Sequence, residues 1–335
     1  MSAMAQEIAQ CADVAARLGA RQQAFATLAS TLNALAAPLA VVCGRGSSGH
    51  AGVHLRYAIE TRLGLPVSAT APSVFTSLKC QLRLPGVPFF VISQSGRSPD
   101  LVAALAAANR AGATTVAIVN DAASPVAMAA AHVLDIEAGP EISVAATKSV
   151  VASMAAGARL VASMAGDTAL LAALDRLPAR LAQAQSLEWP TWRRALAKAR
   201  CAYVAARGFG LGSAREIALK LAETLRVPAL AYSAAELLHG PRAAMAPGMP
   251  ILALRVGDET AASVDSLADN LRVSGLDVHR CGGATGDLAW IGDDHALVDA
   301  IAMLVPAYRC IEQAAQAAGF DPDRPPHLVK VTQTF

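Results

Sequence analysis

Short apolar runs bounded by glycine or proline alternate along this chain with longer stretches in which apolar residues recur at helical spacing. The first forty residues read as an alanine-rich helix closing near Ala37-Pro38. Leu39–Cys43 follows, an unbroken apolar run of the kind expected for a strand buried on both faces. After Gly44-Arg45-Gly46-Ser47-Ser48-Gly49 the spacing predicts a helix over 50–63, and then the pattern repeats. Val87–Ile92 reads as a strand, 93–98 as a loop and Pro99–Ala111 as a helix, with Pro99 suited to a first turn where its missing N–H costs nothing. Thr114–Val119 and His132–Ile136 supply two more strands. A helical region extends from Val144 to about Gln185; its longest apolar stretch, Ser149–Gly166, is rich in alanine and broken by Arg159, which fits a buried helix and not a membrane span.

The text turns charged and tryptophan-bearing at Glu188-Trp189-Pro190-Thr191-Trp192-Arg193-Arg194, which places a boundary between domains 1–187 and 188–335. Arg193, Arg194, Lys198 and Arg200 read as a solvated helix face. The second half restarts the same grammar: strand Cys201–Ala206, glycine-rich loop 207–210, helix Ser213–Leu225, strands Met249–Leu254 and Leu276–His279, and helices over 262–273 and 295–318. Strands alternating with helices predict an α/β fold, a doubly wound parallel sheet flanked by helices, written twice.

Composition narrows the function. A length of 335 residues suits two domains, and 54% hydrophobic residues with only 4% aromatics predicts interiors filled by alanine and aliphatics. A net charge of +2 gives no electrostatic case for nucleic acid or an anionic membrane surface. Six scattered cysteines without a C-x-x-C read as reduced thiols of a cytoplasmic protein, and no secretory signal precedes the first helix. His50 and His54 lie four apart on a helix but lack an acidic or thiol partner, so no metal is expected. With neither G-x-x-x-x-G-K-[ST] nor a G-x-G-x-x-G after the first strand, no nucleotide cofactor is expected either. The order around Ser95 lacks the glycines of a nucleophile elbow, which argues against a serine hydrolase.

Two strand–loop–helix junctions carry hydroxyls and glycine: Gly46-Ser47-Ser48-Gly49 and Ser93-Gln94-Ser95-Gly96-Arg97-Ser98. Free N–H groups at a helix start, together with serine hydroxyls, form an anion site without bulk positive charge, although serines also serve simply as helix caps. In the second half Lys220 and Glu223 share one face of an apolar helix, His239 precedes Gly240-Pro241, and Lys330 lies in an apolar tail. A carboxylate, an imidazole and ammonium groups suit an aldose–ketose rearrangement; Lys220 with Glu223 also fits an ordinary helix ion pair, and His239 a loop histidine.

Gly46-Ser47-Ser48, Ser93-Gln94-Ser95-Gly96-x-Ser98 and Glu141-Ile142-Ser143-Val144-Ala145-Ala146-Thr147-Lys148 resemble the three signatures of a sugar-isomerase (SIS) domain. Ala218–Glu223, Glu236–Pro241 and Leu328-Val329-Lys330-Val331-Thr332 resemble the rest of the isomerase portion of glucosamine-6-phosphate synthase, and the terminal motif is most similar to stand-alone SIS-type glucosamine-6-phosphate deaminases. The resemblance implies two tandem SIS domains, a hexosamine 6-phosphate substrate and no cofactor. Gly46, Ser47, Ser48, Ser93, Gln94, Ser95 and Ser98, with Val144, Ala145 and Lys220, then fall at sugar-phosphate-binding positions. Glu223 is implied to move the proton between C1 and C2, His239 to assist ring opening from a neighbouring subunit of a homodimer, and Lys330 to stabilise or form an imine with the open-chain ketose. Ala222 stands where the synthase has lysine, and Pro140 where it has threonine. No glutaminase pattern precedes the SIS pattern, which makes deamination to fructose 6-phosphate and ammonia the expected reaction. A galactosamine 6-phosphate deaminase, a fructosamine 6-phosphate deglycase and a non-catalytic sugar-phosphate sensor are the alternatives.

Overall fold

A computed structural model describes residues 1–330. Val331 and Thr332 of the terminal motif lie outside the described residues. The chain forms two compact units: one comprises, among the described residues, Asp13–Glu141, Lys148–Asp175 and 329–330, the other Met1–Ala12, Ile142–Thr147 and Arg176–Leu328. The expected cut at 187/188 is contiguous, whereas these units interleave: residues 1–12, 142–147 and 176–187 go with the second sheet. The first helix is drawn there by charge, since Asp323 accepts from the backbone N–H of Ala3 and Met4 at 2.7 Å each.

The first unit carries a five-stranded parallel sheet, β1 (Ala40–Cys43), β2 (Val67–Ala69), β3 (Pro88–Ser93), β4 (Thr114–Val119) and β5 (His132–Asp135), in the order β2-β1-β3-β4-β5. Burial on both faces explains the unbroken apolar runs: β1 and β3 are buried at every position. Helix Lys148–Ala165, buried from Lys148 to Ala162, packs on helix Gly46–Leu63 as the reading of the apolar stretch implies. No described helix is long and apolar enough to cross a membrane.

The second unit carries β6 (Ala202–Ala206), β7 (Ala229–Ser233), β8 (Ile251–Leu254) and β9 (Val278–Cys281), all parallel, in the order β7-β6-β8-β9. The two sheets therefore share one winding: the second strand lies outside the first, and the third lies on its other side. That identity of order is the structural form of the internal repeat.

Differences from the sequence reading have physical causes. The opening helix is three helices, Ala3–Ala9, Cys11–Gly19 and Gln22–Asn33, and the last break coincides with Arg21, which is held by the Asp135 carbonyl and by Glu137 at 3.1 Å. The helical region after 144 begins only at Lys148 and is split at Gly166, whose φ of +64° ends one helix before Asp167 caps the next.

Candidate active site

In the first unit the two serine loops leave the carboxyl ends of β1 and β3, which are neighbouring strands with Val41 beside Phe89 and Cys43 beside Val91. Ser47 and Ser48 lie in the first turn of helix Gly46–Leu63, where backbone N–H groups have no helical acceptor. The approach to that turn is tight: a Cβ on Gly44 would sit 3.1 Å from the Ser48 carbonyl. The second loop closes on itself, Ser93 Oγ accepting from Gly96 N at 3.1 Å and Ser95 Oγ from Arg97 N at 3.2 Å. Gly96 is required there, because its φ is +61° and a Cβ would fall 2.0 Å from Ser124 Oγ.

Ser98 occupies the cap position of helix Pro99–Arg110 without using its side chain as a cap. Among the described residues the side chains of Ser48, Gln94 and Ser98 make no hydrogen bond, and all three are half-buried. Two ion pairs unrecognised in the sequence tie the loops: Arg45 Nε lies 2.5 Å from Asp100, whose side chain is buried, and Arg97 reaches Asp121 at 2.8 Å in the loop after β4. The nearby Cys43 thiol is pushed up to about 12, by burial first and then by Asp100, so it offers no nucleophile.

The third signature divides between the units. Glu141, buried in the first, caps helix Lys148–Ala165 by accepting from Ser149 N at 3.1 Å and Ser149 Oγ at 2.7 Å. Lys330 Nζ lies 3.0 Å from the same carboxylate. The tail lysine is thus half of an ion pair with a buried partner, not an isolated amine. Lys148, buried, donates to the Pro140 carbonyl at 2.6 Å. Val144 and Ala145 belong to the second unit, where Val144 N donates to the Asp323 carbonyl at 3.1 Å.

In the second unit helix Gly210–Thr224 follows β6 and buries one face against β6, β7 and helix Leu304–Ala317. Lys220 is fully buried on that face, with Glu216 3.3 Å away one turn earlier and Glu223 in direct contact one turn later. Burial opposes its charge, but the two carboxylates outweigh burial and hold the ammonium above its ordinary range. Glu223 keeps 21% of its side chain exposed, so the row of charges leads from the interior to solvent. Glu216 was missed in the sequence although it sits four residues before Lys220. Tyr308, which donates to Glu216 at 3.2 Å, had no local signal at all.

His239 is exposed just after helix Ala234–Leu237, and its side chain contacts no other described polar group. The structure therefore brings Lys220 to Glu223 and Lys330 to Glu141, and leaves His239 by itself. No described group of histidine, cysteine and acidic residues could hold a metal ion.

Comparison with known proteins bears on the family of the chain. The SIS domain profile matches residues 37–163 and 195–278. The isomerizing glutamine–fructose-6-phosphate aminotransferase of Methanothermobacter thermautotrophicus is 35% identical over 310 residues, which are 87% of this chain and 50% of that protein. The chain thus spans about half the length of that relative. A crystal structure from Silicibacter pomeroyi DSS-3, determined as that of a candidate phosphosugar isomerase, is 39% identical with a TM-score of 0.92, covering 96% of this chain and 100% of its own. The glucosamine-6-phosphate deaminase of Thermotoga maritima shares the fold, with a TM-score of 0.80 at 21% identity over 99% of this chain and 100% of its own.

Proposed function

The chain belongs to the SIS domain family of phosphosugar isomerases, and on that premise we propose that it converts glucosamine 6-phosphate to fructose 6-phosphate and ammonia. The observation that carries the reading is Glu223: a solvent-reachable carboxylate held against a fully buried ammonium, as a group that must take and return a proton requires. The unengaged side chains of Ser48, Gln94 and Ser98, beside helix N-termini, are the second support, since they suit a phosphate without bulk positive charge.

In the proposed sequence the substrate phosphate binds the serine loops, with Gly46, Ser47, Ser93 and Ser95 completing the cradle. His239 assists ring opening, supplied by the second copy in a homodimer. Glu223 takes the C2 proton, leaving an enolamine, and returns it to C1, which gives the C2 imine of fructose 6-phosphate. Lys220 offsets the negative charge that develops during that transfer. Water adds to the imine carbon and ammonia departs, a direction favoured wherever ammonia is dilute. Lys330, paired with Glu141, stabilises the enolate oxygen that develops at C1. The Thermotoga maritima deaminase, which shares this fold, is named for this reaction.

The test is release of ammonia and fructose 6-phosphate from glucosamine 6-phosphate, run beside galactosamine 6-phosphate and an amine-linked fructose 6-phosphate. Turnover of the first substrate, lost in Glu223→Gln, supports the proposal. Turnover of another alone reassigns the substrate, and thermal stabilisation without turnover of any makes the protein a sensor.

A further inference from the structure

Between Glu60 and Asp100 the chain carries Arg62, Lys79, Arg83 and Arg97 but no aspartate or glutamate. Within that stretch a loop runs from helix Ser73–Thr76 to β3, and beside it, at the end of helix Pro99–Arg110, lies a cavity of about 390 Å³. Phe75, Leu82 and Ala107 give it apolar walls, and its charged lining is Lys79 and Arg110, with no acidic side chain. It sits toward the amino ends of β3 and β4, because Leu84 and Gly86 of the loop donate to the Ala111 and Gly112 carbonyls just before β4. The serine loops leave the opposite, carboxyl ends of β1 and β3. The cavity is therefore no part of them.

Among the described residues neither Lys79 nor Arg110 makes an ion pair or a side-chain hydrogen bond. The helix end offers them no bare acceptor either, since the carbonyls of Ala107, Ala108 and Asn109 accept from the N–H groups of Ala111 and Gly112. A cation in a last helical turn suits the helix dipole, which accounts for Arg110 taken alone. It does not account for Lys79, whose φ of +51° is a left-handed conformation that glycine or asparagine adopts with less strain.

We propose that this cavity is a second ligand site and that it takes a small organic anion. The phosphate or carboxylate lies between Lys79 and Arg110, and the apolar body lies against Phe75, Leu82 and Ala107. A planar guanidinium grips two anionic oxygens at once, and the ammonium adds a point charge beside it. The volume falls within the range of small-molecule sites. The site stands apart from the reaction assigned above and does not depend on it.

Cys80, exposed and lining the same cavity, reports its occupation. The experiment follows alkylation of Cys80 by iodoacetamide in the whole chain, read by mass of its peptide, with phenyl phosphate, benzoate or benzyl alcohol present. The first two distinguish a phosphate-bearing from a carboxylate-bearing ligand, and the third carries the ring without the charge. Expected is alkylation slowed about tenfold by phenyl phosphate or benzoate near saturation, and unchanged by benzyl alcohol. The protection should be lost in Lys79→Met combined with Arg110→Met, and kept in Ser48→Ala combined with Ser98→Ala, which separates this site from the serine loops. Without ligand, the rate with anionic iodoacetate relative to neutral iodoacetamide should fall by a factor on the order of three for each cation removed. That ratio cancels any change in the thiol itself. No protection by either anion, equal protection by benzyl alcohol, protection that survives the double methionine variant or vanishes in the double alanine variant, an unchanged reagent ratio, or a Cys80 closed to iodoacetamide before any ligand is added would overturn the proposal.

Discussion

Replacing Lys220 with methionine gives a worked test of the buried charge row. The substitution keeps the length and apolar stem of the side chain but removes the ammonium, leaving Glu216, fully buried, and Glu223, largely buried, without it. Breaking a buried pair by deleting one partner typically costs ~3–5 kcal/mol, because a charge stays desolvated. The pH dependence identifies the cause. In the native protein Lys220 is held above its ordinary 10.5, so its contribution is complete below that pH and is lost only as pH rises beyond it. In the variant the facing carboxylates lack a cation, and the fold favours a protonated one. Its deficit is then smallest near the unfolded carboxylate value of about 4.3 and grows as pH rises through the folded one. Urea midpoints of both proteins at pH 5 and pH 8 measure this. A loss of about 3 kcal/mol or more at pH 8 that shrinks at pH 5 is expected. A loss equal at both pH values would mean that packing, not charge, was removed, and would refute the reasoning.

Three further outcomes follow from the loops and thiols. Gly96→Ala forces a Cβ toward Ser124 Oγ at a positive φ, so it should lower the thermal midpoint and abolish stabilisation by sugar phosphate; pairing it with Ser124→Gly should restore part of the midpoint. Ser48→Ala with Ser98→Ala removes hydroxyls the fold does not use, so KM for the phosphosugar should rise at least tenfold while the unfolding free energy in urea stays within about 0.5 kcal/mol of wild type. In a native thiol titration Cys80, exposed, should react first, whereas Cys281, whose thiol is raised by burial and then by Asp293 and Asp299, and Cys43 should react only on unfolding.

Much of this architecture was legible because a parallel sheet covered on both faces writes each central strand as an apolar run. β1, β3, β4, β6 and β8 were all readable that way. The two strands that escaped, β2 and β7, are the outer neighbours of the first strand in each sheet. β2 has three residues with two exposed, and no position of β7 is fully buried, so neither carries an apolar run. The serine loops were legible because hydroxyls and glycine cluster in sequence there. The pairs that organise them were not: Arg45 and Asp100 are far apart in the chain and meet only because β1 and β3 are adjacent. Glu216 was within reach of a helical-spacing argument from Lys220, whereas Tyr308 needed the fold. Lys330 is the instructive case. Its place in an apolar tail gave no sign of a partner, and Glu141 lies in another part of the chain altogether.

The central claim is that Glu223 carries a proton between C2 and C1, and the direct measurement is deuterium at C1 of the fructose 6-phosphate formed from glucosamine 6-phosphate in D2O, read by NMR. The account predicts incorporation of up to one deuterium at a single C1 position in the wild-type product, with Glu223→Gln forming neither product nor exchanged substrate although it is still stabilised by the sugar phosphate. Product formation by Glu223→Gln at a rate near wild type, with the same labelling, would contradict it.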